Sequence, residues 1–577
     1  MSEVHIIRHP LAEIPEDLPN TIPSVLKRIY AQRGVTSAQE LEHNLKNLLP
    51  PSSLGGVKEA SQYLIQAMRA NKNILIVGDF DADGATSSAL AVLALKKMGH
   101  AKVEYLVPNR FEFGYGLTPE IVALAKARNA ALIVTVDNGI SSISGVNAAN
   151  EAGIPVIVTD HHLAAEHLPN ALAIVNPNAP GNEFESKVAA GVGVIFYTML
   201  ALRAALREDG WFTEKGIAEP NLAELLDLVA LGTVADVVPL DSNNRIMVAQ
   251  GLARIRAGKC RPGITAILQV AGRNPALAQA NDMGFAVGPR LNAAGRLDDM
   301  SLGIECLLAD SYEDALKIAH DLDALNRERR QIEDGMKQEA EKMLDSWSPE
   351  DTPTELPWGL CLYKEDWHQG VIGILASRIK EKFHRPVIAF APGDPGFVKG
   401  SARSIPGFHI RDALDEIAAK SPKLLSKFGG HAMAAGMTIA EEDFVEFSQR
   451  FDEVARKYLD ESDLSLTLYS DGEVPAAEMN LDTAQALVHG GPWGQGFIEP
   501  MFDGEFFVLN SRVVGEKHWK LVLQQADGKQ SVDAISFNSV EDWPQVPGQI
   551  RAAYRLDVNE WRGQCSLQLR LEYFERA

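Results

Sequence analysis

At 577 residues, 46% of them hydrophobic, the chain is several times the usual domain size, so three or more domains are expected and no staple is needed to hold a core. The four cysteines, Cys260, Cys306, Cys361 and Cys565, lie far apart without a CxxC pair, which speaks against a disulfide framework or thiolate zinc site and fits a reducing cytosol. No basic leader with an apolar core opens the chain, no apolar run approaches the roughly 20 residues that span a bilayer, and the net charge of −22 argues against a broadly basic surface, so a cytoplasmic chain with no membrane partner is expected.

Residues 1–50 read as an N-terminal helical segment and 51–240 as an α/β domain. Between Asn73 and Val175, short apolar runs alternate with helical patterns such as Ala85 to Met98, which predicts a parallel sheet covered by helices on both faces. The runs Asn73 to Val77, Val103 to Val107, Ala131 to Val136, Pro155 to Val158 and Ala171 to Val175 are mostly continuous, as strands buried on both faces should be. Ligands in such folds sit beyond the carboxyl ends of the strands, and there the sequence places Asp79, Asp81, Asp83, Asp137, Asp160, His161 and His162.

Amphipathic patterns dominate from Gly191 to about Trp347, so 241–347 read as a helical region ending in a spacer helix from Tyr312 to Trp347. A Pro- and Glu-rich break then opens a second, smaller α/β domain over 356–460, with a strand near Gly359 to Leu362, a helix from Val371 to Phe383 and a strand from Val387 to Ala391. Between His368 and His431, ten Lys or Arg stand against five Asp or Glu, a local +5 that reads either as a solvated helical surface or as one that faces phosphate. Residues 464–577 are β-rich segments broken by Gly, Asn and Asp, which suits a small closed barrel.

Asp79, Asp81 and Asp83 occupy alternate positions just after a strand, where three carboxylates repel one another unless cations share the site. Asp137 follows another buried strand, and Asp236 lies within an apolar stretch. Either aspartate alone would more often be a helix cap or turn former; convergence with the first motif is what points to metal. Carboxylates favour Mg²⁺ or Mn²⁺, and a neutral imidazole in the set tilts the choice toward Mn²⁺. Two such ions about 3.5–4 Å apart suit hydrolysis of a phosphate ester.

The ordered motifs GDFDADG (78–84), PNRFEFGYG (108–116), TVDNG (135–139), TDHH (159–162), ALGTVADVVPL (230–240), GPRLNAAGRLDD (288–299), WHQGVIGILASRI (367–379), GSARS (400–404) and GGHAMAAG (429–436) resemble the DHH phosphoesterase superfamily over nearly the whole chain. The resemblance implies a metal-dependent exonuclease that removes nucleotides from the 5′ end of single-stranded DNA in recombination and repair. It also implies a DHH-associated second domain and an oligonucleotide-binding (OB-like) β-barrel. Cooperation with a single-strand-binding protein and a helicase belongs to the same implication, and a chain built to surround one strand can act as a monomer.

Two ions, Mn²⁺ or Mg²⁺, are then implied, one held by Asp79, Asp81 and Asp137 and the other by Asp83, Asp137, His161 and Asp236, with Asp137 shared. Asp79 stands where some members of the superfamily carry His. His162 either faces the scissile phosphate or orients its neighbours, and Asp160 is read as orienting a histidine. For the substrate strand the shared motifs offer Arg110, Arg290, Asn292, Arg296, His368, Ser401, Arg403, Gly430 and His431. Arginine suits a terminal phosphate because its planar fork donates two parallel hydrogen bonds, although Arg290 and Arg296 serve equally well as helix-end groups. Glycine lets a backbone approach phosphate closely or simply makes a tight turn. Trp493, Phe497, Phe507 and Trp519 are either core residues or base-stacking platforms. The competing reading is a superfamily enzyme for short oligonucleotides, cyclic dinucleotides or polyphosphate, but such enzymes generally lack a C-terminal barrel. A non-catalytic scaffold would have no reason to keep so much mutually repelling charge.

Overall fold

The computed structural model describes residues 4–108, 116–347, 356–425, 427–525, 528, 530–561 and 563–577. The chain divides into a larger unit, Arg8–Leu325 with Ser470–Ala577, and a smaller one, Asn326–Tyr469 with the N-terminal residues through Ile7.

In the larger unit, β1 (Ile74–Gly78), β2 (Val103–Leu106), β3 (Leu132–Val136), β4 (Val156–Thr159) and β5 (Ala173–Val175) form a parallel sheet in the order β2-β1-β3-β4-β5. Every residue of β1, β3 and β4 is buried, which is why those runs are continuously apolar. Alternate side chains of β1 enter two different cores. Leu75 and Val77 pack with Ile121 and Val146, from α2 (Pro119–Ala127) and α3 (Ile143–Glu151). Ile74 and Ile76 pack with residues of α1 (Ala82–Lys97), α4 (Gly191–Glu208) and α5 (Leu226–Ala235). After β1 the chain passes first to one flank and then to the other, so the carboxyl ends of β1 and β3 border a topological switch point.

The helical stretch that follows includes α6 (Ser242–Arg256), a π-helix (Met283–Val287) continuous with α7 (Gly288–Leu297), and α8 (Tyr312–Trp347), the 36-residue helix expected from the sequence. In the smaller unit, β6 (Leu360–Tyr363), α9 (Ile372–Phe383), β7 (Val387–Pro392), β8 (Phe397–Arg403), β9 (Lys427–Gly430) and β10 (Ala434–Ala440) build a sheet ordered β9-β10-β8-β7-β6, in which β6 and β7 run parallel.

The C-terminal strands β11 (Phe502–Val514), β12 (His518–Gln525), β13 (Ser531–Ser536), β14 (Gln549–Trp561) and β15 (Gln564–Arg576) close into a barrel in the order β11-β12-β13-β15-β14. The sequence sets this segment apart, yet it lies in the larger unit, because one apolar cluster runs from the sheet through Tyr30, Leu240 and Trp493 to Phe502 and Trp519. Buried Arg33 pairs with Asp471 at 2.7 Å in the same region. Trp493, Phe497 and Trp519 are core residues, whereas Phe507 remains 43% exposed. All four cysteines are free thiols. Among the described residues, no helix is long and apolar enough to cross a membrane.

Candidate metal centre

The acids gather where three strands and one helix end. Asp79 and Asp81 follow β1, and Asp81 caps α1, its Oδ1 accepting from the backbone N–H of Asp83 and Gly84 at 3.0 Å. The cap starts the helix at Ala82 rather than the Ala85 expected from the pattern, and so places Asp83 in the first turn. Asp83 is buried and accepts at 2.7 and 2.9 Å from Gly191 and Val192, the first two N–H groups of α4. Asp137 follows β3 with φ +62°, an uncommon conformation for a residue other than glycine. Asp236 is the C-cap residue of α5.

After β4, Asp160 Oδ1 accepts from the His161 N–H at 2.7 Å and the His162 N–H at 3.1 Å, and lies 2.7 Å from His162 Nδ1, while its Oδ2 accepts from Ile140 N–H at 2.9 Å. His161 Nε2 lies 3.1 Å from Asp137 Oδ1 and 3.5 Å from Asp236 Oδ2. Three sets of donor atoms each fall within 4.8 Å of one another: Asp79, Asp81 and Asp137; Asp83, His161 and Asp236; and Asp137, His161 and His162. Asp137 thus belongs to two sets.

The electrostatics of this cluster follow from burial and like charge. Burial, and then Asp81, hold the Asp79 carboxyl well above the usual carboxylate range and push Asp83 up to about 7. Burial and the surrounding aspartates likewise hold Asp137 and Asp236 well above it. Burial, with the charge of His162, lowers His161 to about 4, so its ring is neutral. Burial also works against a charged His162, but the hydrogen bond and charge of Asp160 outweigh it and raise that ring to about 9.

These donors fit divalent cations. Asp137 Oδ1 and His161 Nε2 are buried and have no hydrogen-bond partner among the described residues, although they face each other at 3.1 Å. A neutral imidazole nitrogen and a carboxylate oxygen both present lone pairs, and a cation reconciles them across such overlapping sets.

The motifs do not announce Gly191, which the cluster requires. A Cβ there would lie 2.6 Å from Asp137 Oδ1, so only glycine lets α4 approach closely enough to donate to Asp83. Its sequence signal is a glycine opening the apolar run Gly191 to Phe196. Asn138 is a second such residue: its amide donates to the carbonyls of Val77 and Val136 and ties the ends of β1 and β3 together.

The residues expected to hold the substrate strand divide between the units. In the larger unit, Arg290 is buried, donating through Nε to Asp323 Oδ1 at 2.9 Å and through Nη1 to the Ala286 carbonyl at 2.8 Å, so its fork is engaged within the protein. Asn292 Oδ1 accepts from Ala82 N–H at 2.7 Å and so supports the start of α1. Arg296 stands, partly buried, in the last turn of α7, and Arg110 lies outside the described residues.

In the smaller unit, Ser401 and Arg403 share one face of β8, and Arg403 Nη1 donates to Ser401 Oγ at 3.2 Å and to the Ala402 carbonyl at 2.8 Å. A Cβ on Gly373, in the first turn of α9, would lie 2.9 Å from Arg403 Nη2 and 3.0 Å from Ser401 Oγ, so the guanidinium rests against the start of that helix. His368 Nδ1 accepts from Gly370 N–H at 3.1 Å. Gly430, at φ +147°, leads into a tight turn closed by His431 N–H and the Ala434 carbonyl at 2.8 Å.

Comparison with known proteins identifies three domains in this chain. Residues 73–233 match the DHH family, N-terminal domain; 359–457 match the DHHA1 domain; and 470–573 match the RecJ OB domain. The single-stranded-DNA-specific exonuclease RecJ of Dickeya dadantii is 57% identical over 568 residues, covering 98% of each chain. The crystal structure of Thermus thermophilus RecJ in complex with Mn²⁺ is similar with a TM-score of 0.81 and 28% identity, over 100% of this chain and 80% of that one. The Mg²⁺ complex of the Thermus protein gives a TM-score of 0.76 at 27% identity, over 100% and 79% of the two chains.

Proposed function

This chain belongs to the RecJ family of single-stranded-DNA-specific exonucleases, and from that membership we propose that it hydrolyses single-stranded DNA from the 5′ end to mononucleotides, with Mn²⁺ or Mg²⁺, in recombination and repair. The observation that carries the reading is the gathering of five aspartates with neutral His161 into overlapping ligand sets.

Asp79, Asp81 and Asp137 would hold one cation, and Asp83, His161, Asp236 and Asp137 a second. Cations bound there neutralise charge on a phosphodiester and lower the pKa of a coordinated water. His162, steadied through Nδ1 by Asp160, hydrogen-bonds the scissile phosphate or protonates the departing oxygen. Asn292 and the N–H groups of Gly191 and Val192 hold the metal-binding acids in register. Segment 51–240 carries this chemistry, 241–347 supports it, and 356–460 contributes Ser401, Arg403 and the turn at Gly430 and His431 to grip the backbone. Segment 464–577 holds the strand further on. Arg110 and Arg296 remain readers of the terminal phosphate in this scheme, with His368 beside the backbone, whereas Arg290 positions α7. Cooperation with a single-strand-binding protein and a helicase, action as a monomer and a cytoplasmic location belong to the same reading.

Digestion of oligonucleotides labelled at either end, with Mn²⁺, Mg²⁺ or chelator, tests it. Metal-dependent release of mononucleotides from the 5′ end of the single strand, with the matching duplex spared, is the expected result. Hydrolysis confined to dinucleotides or polyphosphate would overturn it.

A further inference from the structure

From the residue after Asp236 onward, the larger unit leaves apolar side chains in the open. Val237 follows Asp236 and is 63% exposed at φ +60°, a costly conformation for a β-branched residue that persists only where its surroundings impose it. Phe285 is 75% exposed on the π-helix Met283–Val287, a helical form found mostly at functional sites. That π-helix packs on α5, the helix that ends at Asp236, and a Cβ on Gly284 would lie 3.4 Å from Val234 Cγ1. Leu277 and Ile498 are exposed as well.

These four side chains line one cleft of about 860 Å³, walled on the barrel side by Arg555 and Arg570. Its size lies in the upper part of the about 300–1,000 Å³ range of sites that enclose a whole drug-sized ligand, so more than one nucleobase fits.

The charges in the cleft decide which part of a nucleotide it suits. Arg555 donates to Glu572 at 2.9 Å and lies 3.2 Å from Glu499, and Arg570 also pairs with Glu572 at 3.1 Å. Glu499 and Glu572 are themselves part of the lining. Cationic groups already matched by acids offer little to phosphate, whereas an exposed phenyl ring and branched aliphatic chains offer a face to any base without reading sequence.

We propose that this cleft is a nucleobase subsite, in which bases of the single strand engaged at the metal centre stack on Phe285 and pack against Val237 and Ile498. The inference rests on the exonuclease reading and adds to it a place for the bases. The occupant is argued from the chain's own connection, since Val237 in the cleft follows Asp236 and the π-helix carrying Phe285 packs on the helix that Asp236 caps.

The test compares two strands of equal length, one bearing bases and one abasic throughout its interior, each titrated with the full chain in chelator so that neither is digested. Phe285→Ala should weaken binding of the base-bearing strand about 5- to 150-fold, the range that loss of one stacked base gives, and Phe285→Tyr should restore it. The abasic strand should bind wild type and Phe285→Ala within about twofold of each other, since its phosphates are unchanged. On wild-type protein, 2-aminopurine near the 5′ end should be quenched on binding. This readout does not depend on any variant folding.

Equal losses for both strands, or no loss for either, would overturn the subsite. So would unchanged DNA binding accompanied by a change in sedimenting mass, which would make the patch a surface for a second copy of the chain. If the wild-type chain degrades no strand in the end-labelled digestion, the exonuclease reading itself fails, and that outcome is scored separately.

Discussion

Asp160 sits between two candidate ligands, yet its oxygens are engaged by Ile140, His161 and His162. The other acids of the cluster are held up by burial and mutual repulsion. Asp160 is instead lowered, because the hydrogen bond and charge of His162 outweigh its burial. Asp160→Asn keeps the shape but cannot balance the charge of His162. Cleavage of single-stranded DNA should fall about 10–100-fold, the cost usual for a group that orients ligands, while Mn²⁺ content stays near that of wild type. Atomic absorption on dialysed protein, beside the rate assay, distinguishes the roles. Loss of bound Mn²⁺ would make Asp160 a ligand.

Gly191 shows a residue acting through its lack of a side chain. Gly191→Ala drives a Cβ against Asp137 Oδ1 at 2.6 Å and disturbs the two N–H groups that hold Asp83. The Mn²⁺ concentration for half-maximal activity should rise at least tenfold, with helical content unchanged by circular dichroism. An unchanged metal titration would show that α4 yields without moving the acids.

At the scale of elements, the first turn of α9 meets β8 at Gly373, Ser401 and Arg403, and the phosphate grip proposed for the smaller unit rests on this junction. Arg403 is partly buried, burial disfavours its charge, and its hydrogen-bond partners Ser401 Oγ and the Ala402 carbonyl are neutral, so an anion is a favourable addition. Each phosphate contact to a single strand contributes about 0.7 to the slope of log affinity against log salt. Arg403→Ala should therefore weaken binding at low salt and reduce that slope by about 0.7, measured by fluorescence anisotropy between 50 and 300 mM salt, concentrations chosen to bracket about 0.15 M. An unchanged slope would make Arg403 a structural group of β8.

Those elements were largely legible beforehand. The strands β1, β3 and β4 announce themselves as continuous apolar runs because both of their faces are covered, and α8 keeps helical spacing from Tyr312 to Trp347. The acids are conspicuous because like charges at alternate positions need an external reason. The partners that hold them are not legible locally: Asp83 reaches Gly191 and Val192 across 108 and 109 positions, and Asn292 reaches Ala82 across 210. Arg290 carries the residue type of a phosphate reader, and only the tertiary fold shows Asp323 in its fork. The π-helix under Phe285 has no pattern of its own, since its residues read as an ordinary α-helical turn.

For the molecule as a whole, the acid cluster should make stability depend on cations more strongly as pH rises. Asp79, Asp83, Asp137 and Asp236 are all held above the usual carboxylate range, Asp83 to about 7. A folded state with raised carboxyl pKa values binds protons more tightly than the unfolded chain does. Metal-stripped protein should therefore lose stability as pH rises from about 4, the ordinary carboxyl value, through those raised values. Mn²⁺ takes the place of the protons, so the loaded protein should escape that decline. The difference in midpoint between chelated and Mn²⁺-loaded samples in scanning calorimetry should widen from pH 5 to pH 8. Saturation at 100 times the dissociation constant contributes about 2.7 kcal/mol per site. Asp137→Asn separates repulsion from ligation, because it removes one of the crowded charges and also a donor common to two of the ligand sets. Its chelated form should melt above chelated wild type at pH 8, and its Mn²⁺-induced shift should shrink. Two compact units can melt separately, so the comparison belongs to the transition of the larger unit, assigned by hydrogen exchange read on peptides from Arg8–Leu325. A shift that stays constant across pH, or survives intact in Asp137→Asn, would mean that the raised carboxyls are relieved by protons alone and that this cluster is not where the cations bind.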